Sequence, residues 1–186
     1  MTVVLIILVV LVIAVVLWAV VTYNRLVTLR NTVEESWHQV DVELHRRYDL
    51  IPNLVETVKG YAAHERGTFE AVTQARAAAS TPGSTPAEQA QQENVLTSAL
   101  RQLFAVAEAY PDLKANQNFL DLQRSLAETE DRIAASRRFY NANVRAFNTK
   151  IQTAPSNLIA NTFGFKAADY FEADDPQVRS APQVQF

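Results

Sequence analysis

Three histidines, twenty acidic side chains and no cysteine set the chemistry this chain could perform. Glu35 and His38 have the Glu-x-x-His spacing that places two metal ligands on one helical face in di-iron bundles. Such a site needs a second pair, but Val42 and Tyr61 occupy the positions three residues before His45 and His64. His64-Glu65 opens like a zinc-protease helix, yet Thr68 stands where the second histidine would have to be. Without a thiol there is no cysteine nucleophile, no disulfide and no Cys-ligated metal. Nor does any nucleophile, base and orienting group form a recognisable set. Glu35, His38 and His64 therefore read as solvated helix-surface residues, and no cofactor is expected. An unrecognised hydrolase or metal site built on these three stays as an alternative. Arg46, Arg47 and Asp49, with Asp131 and Arg132 far along the chain, read as ion-pairing groups between helices.

The elements that must position these residues begin with an apolar run. Val3 to Val21 is uninterrupted, and about 19 residues at about 1.5 Å each span about 28 Å, the hydrocarbon thickness of a bilayer. A cleaved signal peptide is the rival reading. It would carry a basic start, a shorter apolar core and small residues at its cleavage site, whereas Met1-Thr2 has no basic side chain and Trp18-Ala19-Val20-Val21-Thr22 has no Ala-x-Ala pattern. A retained single-pass anchor over residues 1–22 is expected, meeting the lipid bilayer through residues 3–21. Trp18 and Tyr23 suit an interfacial aromatic belt. The first charges are Arg25 and Arg30, so the positive-inside rule places the remainder of the chain in the cytoplasm, with a periplasmic or extracellular domain as the alternative. All charged residues follow the apolar run, their formal sum is −3, and both signs are interspersed; a nucleic-acid partner, which wants a basic field, is not expected.

Beyond the anchor, Leu26, Leu29, Val33, Trp37, Val40, Leu44, Tyr48 and Ile51 recur every three or four residues, a helical stripe continuing the membrane helix into the domain. Leu26, Trp37 and Tyr48 repeat every eleven residues, a period that keeps the helix nearly straight or slightly right-handed against its neighbours. Pro52 lacks an N–H and should kink or restart the helix, with Asp49 as a nearby cap. A second segment then carries Leu54, Val58, Tyr61, Phe69 and Val72 on one face, with irregularity expected around Gly60 and Gly67. Ser80 to Pro86 concentrates turn formers and makes the clearest loop. A third helix runs from about Ala87 to Pro111, and a fourth from near Asp112 to Pro155. Ser156 to Phe165 should cap the open end of the bundle. The expected fold is all-α: a transmembrane helix (1–22) continuing into an antiparallel, up-and-down four-helix bundle (23–171), followed by a flexible tail (172–186).

The chain also resembles the LemA family. The resemblance rests on Tyr23-Asn24-Arg25-Leu26, Glu34-Glu35-Ser36-Trp37, Arg46-Arg47-Tyr48-Asp49-Leu50-Ile51-Pro52-Asn53-Leu54 and Val58-Lys59-Gly60-Tyr61. In the second half it rests on Tyr110-Pro111-Asp112-Leu113-Lys114, Thr129-Glu130-Asp131-Arg132-Ile133, Phe163-Gly164-Phe165 and Val184-Gln185-Phe186. It covers nearly the whole chain; Ala154 departs from it, where relatives would carry a larger apolar residue. The resemblance implies a membrane-anchored antiparallel helical bundle and no reaction. A non-catalytic scaffold or adaptor at the membrane surface is the expected function, with an accessory subunit that stabilises or regulates another membrane protein as the alternative. A protein partner or self-association is expected. The polar groups at the Pro52 interruption, Arg46, Arg47, Asp49 and Asn53, are the candidate interaction surface, against the reading that they cap and pair helix ends within the bundle.

Overall fold

A computed structural model of the chain describes residues 1–172, and among them the only regular structure is helix. The segment 173–186, which holds most of the expected tail, lies outside the described residues. The first helix, α1 (Thr2–Lys59), joins the apolar run to the striped segment without interruption. Its hydroxyl residues do not break it: Thr28, Thr32, Ser36 and Thr57 turn their side chains back onto carbonyls three or four residues earlier. Side chains from Val3 to Val21 are exposed except for the half-buried Ala19, and full burial begins at Thr22 and Leu26. This helix is long and apolar enough to cross a membrane, and none of its apolar window is buried inside the protein.

The expected interruption at Pro52 does not occur. Proline removes the N–H that would bond to the Tyr48 carbonyl, and Arg76 Nε takes that place by donating to the Tyr48 oxygen at 2.7 Å. Beyond the proline, Leu54 and Val58 continue the buried stripe at 0% exposure, so carrying the helix onward gains two core side chains. The break falls at Gly60 instead, and Asp49 lies within the helix, exposed, rather than at a cap. Tyr61, expected on a buried face, sits in the turn after α1 at 42% exposure.

Compactness divides the described chain into two units. One comprises residues 40–137 together with the described residues 169–172. It contains the last turns of α1, then α2 (Arg66–Ala79), α3 (Pro86–Glu108), the short α4 (Pro111–Lys114) and the first half of α5 (Gln117–Gln152). The four expected helical segments thus appear as six helices among the described residues, because Pro111 opens a separate turn and Pro155 is followed by another helix. The core of this unit gathers Leu44, Ile51, Val58, Val72, Leu96, Leu103, Leu113 and Phe119. The 80–85 loop turns through Gly83 at φ +91°, a left-handed conformation that favours glycine. Thr85 then caps α3: its hydroxyl accepts from the Glu88 N–H at 3.3 Å while the Glu88 carboxylate accepts from the Thr85 N–H at 2.8 Å. Asn116 starts α5 by accepting from the Phe119 N–H and donates its amide to the Tyr61 hydroxyl.

The other unit comprises residues 1–39 and 138–168. Within it α1 and the second half of α5 run antiparallel: Trp37 meets Tyr140 at a ring separation of 5.2 Å, and Phe165 bridges Phe147 to Tyr23. From Tyr140 to its end α5 advances about 18 Å, and α1 covers the same distance back from Trp37 to Arg25. The end of α5 therefore lies level with the start of the charged part of α1. A cis Ala154–Pro155 peptide follows, then α6 (Ser156–Thr162). After Gly164, at φ +70°, Asn148 holds the chain by exchanging two 2.9 Å hydrogen bonds with the Ala168 backbone.

The Thr85 hydrogen bonds hold the Glu88 carboxyl below its usual 4.5. Its capping contribution is therefore complete above pH 4.5 and is lost as the pH falls through the depressed value. Thr85→Ala should cost about 1 kcal/mol in urea unfolding of the detergent-solubilised chain at neutral pH, and the difference from the unsubstituted chain should shrink on acidification.

Candidate functional site

The densest constellation of chemically capable side chains lies inside the unit formed around 40–137, where α1 presents Arg47 and Tyr48 to α2, α3 and α5. Arg47 is 2% exposed. Its guanidinium pairs through Nη2 with Glu93 of α3 and through Nη1 with Glu130 of α5. The Tyr48 hydroxyl donates to the other oxygen of Glu93. The Gln89 amide nitrogen, one turn before Glu93, lies 2.8 Å from the Ala79 carbonyl at the end of α2 and 2.9 Å from both the Tyr48 hydroxyl and Glu93 Oε1. One charged network thus touches all four long helical segments of the unit. Burial pushes the Tyr48 hydroxyl up to about 12, with Asp41 adding to the rise and Arg47 and Gln89 opposing it.

This arrangement pairs its charges with one another, while Arg47 Nε stays buried without a hydrogen-bond partner among the described residues. Glu93, the one carboxylate buried within it, is engaged by Arg47, Tyr48 and Gln89, and Glu130 closes the outer side of the guanidinium. Removing two charges from water costs several kcal/mol each unless each finds a partner of opposite sign, and here each does.

The four residues singled out at Pro52 separate. Arg47 is turned inward, so it pairs helices instead of presenting a surface. Arg46, Asp49 and Asn53 are exposed: Arg46 bonds Glu43 at 3.2 Å along the same helix, and the Asn53 carbonyl accepts from Thr57. Arg46 and Asp49 line a shallow hollow of about 430 Å³ with Asp41, Val42 and His45, and Val42 is 58% exposed there. A second notch, of about 240 Å³, is lined by Phe104, Glu108, Lys114, Phe119 and Leu120. Glu35 and His38 are exposed on α1 and His64 in the turn after it. Among the described residues no three His, Asp or Glu side chains cluster so as to hold a metal ion.

Sequence reasoning placed ion pairs between Arg46, Arg47, Asp49 and the Asp131-Arg132 region, one residue away from the Glu130 that Arg47 uses, and it missed Gln89 and Glu93. A signal for them was available. Gln89 and Glu93 continue the Leu96, Leu100, Leu103 stripe backward at spacings of three and four, so α3 turns two polar residues into the core. Arg47 likewise falls between Leu44 and Ile51 on the stripe of α1.

A family model described as the LemA family matches residues 36–186, from the middle of α1 through the buried network and beyond. The chain belongs to the LemA family. Magnetosome protein MamQ 2 of Paramagnetospirillum magneticum is 29% identical over 175 residues, covering 81% of this chain and 64% of the relative. Magnetosome protein MamQ of Magnetospirillum gryphiswaldense is 26% identical over 174 residues, with coverage of 80% and 64%. Protein LemA of Metamycoplasma hominis is 28% identical over 155 residues, covering 82% of this chain and 69% of that protein. The chain spans 64% of the length of the MamQ relatives it matches. None of these names carries a reaction.

The network yields two expectations for this LemA-family chain. Glu93→Leu should cost about 3–5 kcal/mol in urea unfolding because it leaves a buried guanidinium half-paired, and adding Arg47→Met should recover much of that loss; equal costs for the single and double variants would refute the pairing. Because the Tyr48 value is raised above the ordinary 10.0, its contribution is complete below pH 10 and is lost as the pH rises toward about 12. In an ultraviolet titration Tyr48 should ionise late among the six tyrosines, together with loss of helix signal, and Tyr48→Phe should remove that late step.

Proposed function

We propose that the chain is a non-catalytic, membrane-anchored scaffold or adaptor, with residues 1–22 as a single-pass anchor and 23–171 as its LemA domain. The observation that carries this reading is a contrast. The richest set of chemical groups is buried and mutually ion-paired around Arg47 and Glu93, while the large apolar side chains of α1 from Val3 to Val21 are exposed. Lipid is the solvent that such a surface fits. The domain's mass then serves to hold a shape, with the α1, α2, α3 and α5 segments of the 40–137 unit as an antiparallel four-helix bundle locked by the charged network.

The cytoplasmic side is proposed for the domain, because Arg25 and Arg30 follow the span and no charged side chain precedes it. Partner capture is assigned to the exposed face carrying Arg46, Asp49 and Asn53. The apolar Val42 beside that hollow favours the second reading, an accessory subunit that docks another membrane protein there.

The native chain has no cysteine, so Ser84→Cys in the loop before α3 supplies one thiol for a membrane-impermeant maleimide. The protein should resist alkaline extraction from membranes and stay unlabelled in intact cells until lysis. Release by alkali would refute the anchor, and labelling of intact cells would place the domain outside. Reversing charges with Arg46→Glu and Asp49→Lys should abolish recovery of a stoichiometric companion while leaving helix content unchanged; retained recovery would remove this face from the proposal.

A further inference from the structure

Within the unit formed by residues 1–39 and 138–168, α6 ends beside the residues that immediately follow the apolar run. The Phe163 ring lies 4.8 Å and the Phe165 ring 5.8 Å from Tyr23, which is two residues beyond Val21 and so about 3 Å further along α1. Phe165 is held in this place from three sides, by Tyr23, by Phe147 and by the Arg30 guanidinium over its ring. Phe163 and Leu158 are not held in this way. They are 59% and 63% exposed, side chains that a water-facing seven-residue helix has no reason to present together.

Charge points the same way. The whole chain is acidic, yet this unit carries six basic side chains, Arg25, Arg30, Arg138, Arg145, Lys150 and Lys166, against only Glu34 and Glu35. No acidic residue occurs from Arg138 to Ala168. A basic collar behind exposed Leu and Phe, with Arg25 and Lys166 nearest the end of the apolar helix and Arg138 and Arg145 further from it, is the composition of a segment lying against an anionic headgroup layer.

We infer that α6 and the Phe163-Gly164-Phe165 turn form a second membrane contact, in which Leu158 and Phe163 enter the headgroup and upper acyl region beside the span while Arg25, Arg30 and Lys166 face anionic lipid headgroups. The inference rests on the anchor reading, since it takes the bilayer level from Val21. Functionally, two contacts fix what one helix leaves loose: a single span rotates and tilts freely, whereas a span with an interfacial wedge on one side presents a set face of the domain to anything else in the membrane.

The test uses the full chain reconstituted in vesicles of phosphatidylethanolamine and phosphatidylglycerol containing spin-labelled lipid. Single cysteines at Val12→Cys, Leu158→Cys, Phe163→Cys and Val95→Cys each carry an environment-sensitive fluorophore. Val95 is a control because it is 60% exposed in the other unit. Labels at 158 and 163 should lose most of their emission to a headgroup-level spin label and shift to the blue, the label at 12 should respond to a deep spin label, and the label at 95 should respond to neither. Quenching at 12 without quenching at 158 or 163 overturns the inference and leaves the anchor standing. An unquenched label at 12 overturns both. If the label at 158 responds to a nitroxide on a second copy of the chain and not to lipid, the face is a contact between copies and the lipid assignment falls. Omitting phosphatidylglycerol should weaken the quenching at 158 and 163 and spare that at 12; an unchanged response would overturn the role given to the basic collar.

Discussion

A guanidinium removed from water at Arg47 is the constraint around which the 40–137 unit is arranged. A buried charge without partners is far costlier than any single apolar contact gains, so the helices facing Arg47 must deliver acceptors to it. Glu93 arrives from α3 and Glu130 from α5. The neighbouring Tyr48 hydroxyl then makes Glu93 answer to α1 twice, and Gln89 ties the same carboxylate to the last carbonyl of α2. Apolar stripes are non-directional, whereas charge pairs and hydrogen bonds fix which residues of the facing helices stand opposite one another.

The same region explains how α1 passes Pro52. The proline takes away a hydrogen bond, and the carbonyl it leaves behind belongs to Tyr48, inside the network. Arg76 donates to that carbonyl, so α2 both packs on α1 and repairs it. The helix stays unbroken to Lys59, and the chain turns only at Gly60, after Val58, the last buried side chain of α1.

The unit near the apolar run is organised differently. Its interior is aromatic, with Trp37 against Tyr140 and Phe165 among Tyr23, Phe147 and Arg30, and its surface is basic. Aromatic packing with a cationic rim suits a boundary between apolar and aqueous surroundings, and the polar network suits a closed core. LemA membership assigns no chemistry to either unit.

The sequence by itself determined the elements. A run of apolar residues from Val3 to Val21, stripes at three- and four-residue spacing and the Ser80 to Pro86 turn formers all depend on neighbours within a turn or two, which is the range over which local pattern speaks. The anchor-length helix, the helical class and the 80–85 loop were therefore legible, and so was the family through its succession of short motifs. Tertiary structure decided what local pattern leaves open. Pro52 reads as a breaker until Arg76, a residue of another helix, supplies the missing donor, and Arg47 reads as an ion-pairing group whose partners, Glu93 and Glu130 at 46 and 83 positions away, only the packed helices identify. A charge is stable in a core only if partners distant in the chain converge on it, and that convergence is a property of the packed helices and not of any one of them.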